Sequence, residues 1–338
     1  MTPSARILDP QQIKAADAQA SLFMQEGIRL AQSGNDADAL RYFDRALELR
    51  RRLPSEEPMH AYGLAACWLN RAEAFTRLGV AHHGLALRAY DEALALLRPL
   101  PLAADARFSK RLAIAYQNRA LVLAAQNPPA WEDAIAALVE AIAVLDRADA
   151  MEASERAYLL AVVWMNLANL RASEDTPASD AAALEAARQA LALAKTPEHE
   201  NAAAAEVGLK ARHVLCRIAA RRLSEESKTV SENVHDATDL ADEGLSLVRE
   251  WERRGVDRFR NLASDLLRFG ARVYACYQPH FLQEFLSEQL DPRESTHFYV
   301  QSREVQDAAR DILLLLASPS GATSKGRRPL TGAALRSG

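Results

Sequence analysis

Cysteine, glycine, proline and aromatic residues are all scarce in this chain of 338 residues, and each shortage closes off a class of structure. The three cysteines, Cys67, Cys216 and Cys276, are far apart and form no Cys-x-x-Cys pair, which excludes a disulfide framework and a thiolate zinc site. Only 13 Gly and 14 Pro occur beside 49% hydrophobic and 25% charged residues, a composition of folded rather than disordered sequence. Aromatic residues are 6%, β-branched residues are also few, and alanine runs such as Ala202 to Ala205 favour helix over strand. The longest uninterrupted apolar stretch, around Ala157 to Met165, is far below the ~18 residues of a membrane span, and Met1 to Ala20 has no apolar signal core. The sequence therefore predicts an all-α protein that neither enters nor crosses a membrane, with a cytoplasmic location.

What the chain has is repetition. A large apolar residue is followed four positions later by a tiny one in six places: Phe23 and Gly27, Trp68 and Ala72, Tyr116 and Ala120, Trp164 and Ala168, Leu215 and Ala219, Phe259 and Ala263. The spacing puts both on one helix face, where the small residue admits a neighbouring helix and the large one fills the adjacent gap. Each of the first five such helices is followed by a second amphipathic segment with two small residues seven apart: Ala39 and Ala46, Ala86 and Ala93, Ala134 and Ala141, Ala183 and Ala190, Ala237 and Gly244. Turn residues such as Gly34-Asn35-Asp36, His82-His83-Gly84 and Asn127-Pro128-Pro129, and Ser231 ahead of the fifth second helix, separate the segments.

These residues resemble the tetratricopeptide repeat family. The resemblance is carried by Phe23, Gly27, Leu30, Gly34, Ala39, Phe43 and Ala46 in the first repeat and by Trp68, Ala72, Phe75, Gly79, Ala86, Tyr90 and Ala93 in the second. It spans Ala20 to Asp291, is specific in repeats one to three, looser in the fourth and weak in the fifth and sixth, and Arg171 and Arg222 replace apolar family positions in the fourth and fifth. Equivalent positions lie 44 to 51 residues apart, longer than the family's usual spacing, so Pro58 to Leu78, Ala106 to Gln126 and Ala153 to Ala172 are expected to form first helices about 30 Å long. The resemblance implies an α-solenoid, a right-handed superhelix of tandem antiparallel helix pairs. The expected organisation is a lead-in over 1–16, an array of about six pairs over 17–291, a capping helix over 292–317 and a disordered basic tail over 318–338.

In this family the first helices line a concave groove, and the resemblance places the residue two after each large one in it. That column reads Gln25, Asn70, Asn118, Asn166, Arg217 and Asn261. Asparagine is 9 of the 338 residues and yet fills four of these six places. A primary amide offers a donor and an acceptor and can bond both polar groups of one peptide unit, so the column is a candidate ladder for an extended peptide. Solvated asparagines that bond a neighbouring helix or water are the plainer alternative. Ser21, Ala66, Ile114 and Val162 stand where the family's carboxylate-clamp subtype would place lysine, which argues against a receptor for chaperone tails. His213 and Arg217, four apart on one helix, are a candidate anion contact.

Enzyme signatures are missing: there is no His-Glu-x-x-His, no phosphate-binding Gly-rich loop and no Gly-x-Ser-x-Gly elbow, and the eight histidines are scattered. No catalytic residue, cofactor or metal is expected. A net charge of -4, with the basic residues of 318–338 counted in, argues against a nucleic-acid partner, and Arg50-Arg51-Arg52 and Arg253-Arg254 suit helix C-termini. Val300, Val305, Ala308, Ala309, Ile312, Leu313 and Leu316, behind Ser295 and Thr296 as N-cap, form the apolar stripe of a closing helix. The functional expectation is a non-enzymatic scaffold that binds a protein or peptide of unknown identity through its groove. The alternative is a regulatory or self-assembling protein whose last helix or outer face makes a homo-oligomer.

Overall fold

The structure is a computed structural model that describes residues 9–54, 56–174, 176–225, 232–277, 280–290 and 303–317. Among the described residues there are thirteen α-helices and no strand. The chain divides into two compact units, residues 1–218 and 219–338, and the border falls within the ninth helix.

The first unit is a row of helix pairs: α1 (Pro10–Gln32) with α2 (Asp36–Arg50), α3 (Pro58–Arg77) with α4 (His83–Leu97), α5 (Ala106–Ala124) with α6 (Trp131–Asp146), and α7 (Ala153–Ser173) with α8 (Pro177–Ala194). It ends in α9 (Ala202–Glu225), which follows a short 3-10 turn at Pro197–His199. Within each pair the helices pack along their length, and α2, α4 and α6 also pack on the first helix of the next pair. The small residues explain the closeness. Ala39, Ala46, Ala72, Ala86, Ala93, Ala120, Ala134, Ala141, Ala168, Ala183 and Ala190 are all fully buried. A Cβ at Gly27 would collide with the ring of Phe43 across the α1/α2 seam. Gly34 and Gly79, which close the first helices of two pairs, hold φ of 81° and 100°, a left-handed conformation that glycine adopts without steric cost.

The first helix begins seven residues ahead of position 17, where the array was expected to start. Asp9 accepts from Gln12 N at 2.8 Å and Gln12 Oε1 accepts from Asp9 N at 3.2 Å, with Pro10 opening the helix. The Arg171 side chain, at an apolar family position, is half-buried and pairs with Glu174 at 3.4 Å. Arg222, Ser231, Cys276 and the stretch 291–302 lie outside the residues whose side chains are described, as does the basic segment 318–338.

The second unit contains α10 (Glu232–Arg253), α11 (Arg260–Tyr277), the nine-residue α12 (Leu282–Leu290) and α13 (Arg303–Ala317). Helices α10, α12 and α13 all pack on α11. Val305, Ala308 and Ile312 are buried, so α13 supplies the closing helix, and Arg268 on α11 reaches Asp311 on α13 at 3.3 Å. Phe259, the last of the six large residues, is buried at the entrance to α11 and its carbonyl accepts from Ala263 N at 3.0 Å.

Candidate functional site

Along α3, the side chains of Tyr62, Ala66, Asn70 and Glu73 recur at spacings of four, four and three, which places them on one helical stripe, and all are half-buried. The equivalent stripe on α5 holds Arg111, Ile114, Asn118 and Leu121, and on α7 it holds Glu155, Tyr158, Val162 and Asn166. Three cross-links join these helices. Asn118 Nδ2 donates to Glu73 Oε1 at 3.3 Å between α5 and α3, Arg111 lies 4.5 Å from the centre of the Tyr62 ring, and Lys110 pairs with Glu155 between α5 and α7. The first helices thereby form a continuous lateral surface. It carries an apolar line of Ala66, Ile114 and Val162, a line of amides four residues further on, and tyrosines four residues before it in α3 and α7.

The six column residues have different surroundings. Asn70 donates to the carbonyl of Ala66, one turn back in its own helix, at 2.9 Å. Asn118 spends a donor on Glu73, while Gln25 and Asn166 make no hydrogen bond with a described residue. Arg217 is half-buried in α9. Asn70 and Asn118 each stand twelve residues into their helices (58 to 70, 106 to 118) and Asn166 thirteen (153 to 166), so those three occupy equivalent depths. Asn261 is the second residue of α11 and is exposed in its first turn, because the chain enters that helix at Phe259 rather than a helix interior.

Electrostatics sharpen the picture. Burial raises the Glu73 carboxyl above its usual range, opposed by Arg77, Arg111 and the Asn118 hydrogen bond. Burial, aided by the Arg217 charge, lowers His213 to about 4, so at neutral pH the His213 and Arg217 pair carries one positive charge rather than two. Burial raises the Cys67 thiol to about 11, which removes it as a nucleophile at neutral pH. Among the described residues no group of three His, Cys, Asp or Glu side chains is placed to hold a metal, and no helix is long and apolar enough to cross a membrane.

The chain is similar to BtubC (BKLC) from P. vanneervenii, with a TM-score of 0.51 at 15% identity over 88% of this chain and 97% of that one. The fold is a tetratricopeptide-like helical repeat. Weaker likenesses are to the kinesin light chain TPR-like repeats of Podosopora anserina (TM-score 0.47, 18% identity, 73% of this chain and 100% of that one) and to the S. pombe nuclear import adaptor Nro1 (TM-score 0.46, 14% identity, 89% and 97%). No family model matches the chain, and no curated protein matches it. At such identities the likeness speaks for the fold alone.

Within the tetratricopeptide-like frame, two features escape a sequence reading limited to one column. Tyr62 and Tyr158 each precede a tryptophan of the repeat by six residues, a column legible at multiples of the 48-residue period. A basic residue also caps the C-terminus of every second helix in the first unit: Arg51, Arg98, Arg147 and Lys195. Two of these cover the large residue of the next first helix, Arg51 at 5.1 Å from the Trp68 ring and Arg98 at 5.5 Å from Tyr116, whose hydroxyl accepts from Arg98 Nε at 2.9 Å. Arg147 instead donates to the Ala143 carbonyl at 2.9 Å.

Proposed function

We propose that the protein is a non-enzymatic scaffold whose first-helix surface in the unit 1–218 holds an extended segment of a partner protein. The observation that carries this reading is the apolar line of Ala66, Ile114 and Val162, flanked in register by Asn70, Asn118 and Asn166 at equivalent depths in three successive helices. An extended backbone presents a donor and an acceptor at every residue, and amides on adjacent helices can meet them at intervals while apolar side chains settle on the line between. The carbonyl oxygen of Asn70 accepts nothing from the described residues and so remains an acceptor, and Asn166 and Gln25 retain both functions. Arg217 supplies a cation at one end of the column.

Replacing Asn118 and Asn166 by Ala and Ile114 by Asp tests this in an affinity capture from the native cell, with melting temperature as control. The triple variant is expected to lose the partner that wild type retains, with its melting temperature within a few degrees of wild type. Full retention of every captured partner by a folded triple variant overturns the reading.

A further inference from the structure

The second unit contains a cleft of about 310 Å³ between α10, α11 and α12, lined by Asp242, Tyr274, Phe281, Glu284, Phe285 and Glu288. Its wall is aromatic: Tyr274 and Phe285 stack with ring centres 4.6 Å apart, and Phe281 is 44% exposed. Its rim is acidic. Asp242 is already committed, accepting from the Tyr274 hydroxyl at 2.9 Å and from Gln289 Nε2 at 3.2 Å. Glu284 and Glu288 are both exposed, stand one turn apart on α12 and have no cation among the described residues, whereas Glu250, Glu252 and Asp265 on α10 and α11 each have an arginine partner. Like charges one turn apart repel, and a cation from outside the element relieves that repulsion. Ring faces beside unpaired carboxylates are the chemistry that recognises a guanidinium or an ammonium group.

The chain contains a matching segment. Residues 318–338, which follow α13, hold Lys325, Arg327, Arg328 and Arg336 and no acid. Both α12 and α13 pack on α11, whose 18 residues span about 27 Å. Ten residues separate Ala317 from Arg327 and can extend about 35 Å, so any point along α11 is within reach. We propose that the cleft is a second binding site, independent of the first-helix surface, and that it takes the arginines at 327 and 328 of the same chain. Occupancy in cis then makes the segment a built-in competitor for any basic peptide directed at this unit.

The test uses the full chain with Lys325, Arg327 and Arg328 replaced by Ala, titrated into a fluorescein-labelled peptide of residues 318–338 and followed by anisotropy. The neutralised chain is expected to bind the peptide at least tenfold more tightly than wild type, whose own segment competes. Glu284→Gln with Glu288→Gln in that background is expected to abolish binding, Phe281→Ala to weaken it, and Asn118→Ala to leave it unchanged. The proposal is overturned if the neutralised chain does not bind, if it binds no better than wild type, or if the α12 variants bind as before. It is equally overturned if wild type sediments as a dimer that the neutralised chain loses, because the segment then engages a second copy.

Discussion

Among individual residues, burial decides which charged groups shape the fold and which are available to a partner. Arg212 and Glu198 are both almost wholly buried and joined by two hydrogen bonds, at 2.7 and 2.8 Å. A Cβ on Gly208 would strike the Glu198 carboxylate, so glycine there keeps the pair's site open. Removing one charge strands the other away from water, and Glu198→Gln is expected to cost about 3 kcal/mol in a denaturant titration. A loss below about 1 kcal/mol would mean that solvent reaches the site. His213 gives a pH prediction. Its folded pKa of about 4 lies below the unfolded value of about 6.5, so the unfolded chain takes up the proton first. Stability should be level above pH 6.5 and fall as pH drops toward 4, by at most about 3 kcal/mol from this group. His213→Gln should flatten that part of the profile, and an unchanged slope would show that His213 takes up its proton as readily in the folded chain as in the unfolded one.

At the level of helices, period and punctuation made most of the architecture legible. The expected first helices Pro58 to Leu78, Ala106 to Gln126 and Ala153 to Ala172 match α3, α5 and α7 to within two residues at each end. Their ends are set by Pro58, Asp105 and Glu152 at the start, the latter two accepting backbone N–H bonds, and by the loss of the apolar stripe at the finish. The start of α1 was missed although Asp9-Pro10-Gln11-Gln12 carries a capping signal, because the apolar pattern begins only later. The lateral register of first helices was illegible for a different reason. Asn118 to Glu73 and Lys110 to Glu155 each join residues 45 apart, one turn short of the 48-residue period, so a reading of aligned columns passes over both. The arginine caps belong to this scale too. Arg98 closes α4, meets the negative end of its dipole and covers Tyr116, two effects of about 0.5–1 kcal/mol each. Arg98→Ala is expected to cost roughly 1 kcal/mol and Arg98→Lys about half of that. Equal losses would assign the whole effect to the planar guanidinium.

For the molecule as a whole, the decisive property of a repeat fold is that each element is stabilised by its neighbours along the chain rather than by one shared core. The candidate surface in the first unit and the cleft in the second therefore rest on different contacts. Sequence reasoning anticipated the closing helix from its stripe, and the buried Val305, Ala308 and Ile312 show why such a helix is needed: without it the apolar face of α11 would meet water. An acid at Ile312 should expel α13 and cost the second unit about 3 kcal/mol or more, since it removes a buried branched side chain and puts an unpaired charge in its place. Nearest-neighbour coupling predicts where that loss appears. Amide hydrogen exchange in Ile312→Asp should accelerate in α11 and α12 while α3 to α6 keep their wild-type protection. If exchange rises equally in all of these helices, the two units unfold as one cooperative body, and the stability of the candidate binding surface depends on α13 after all.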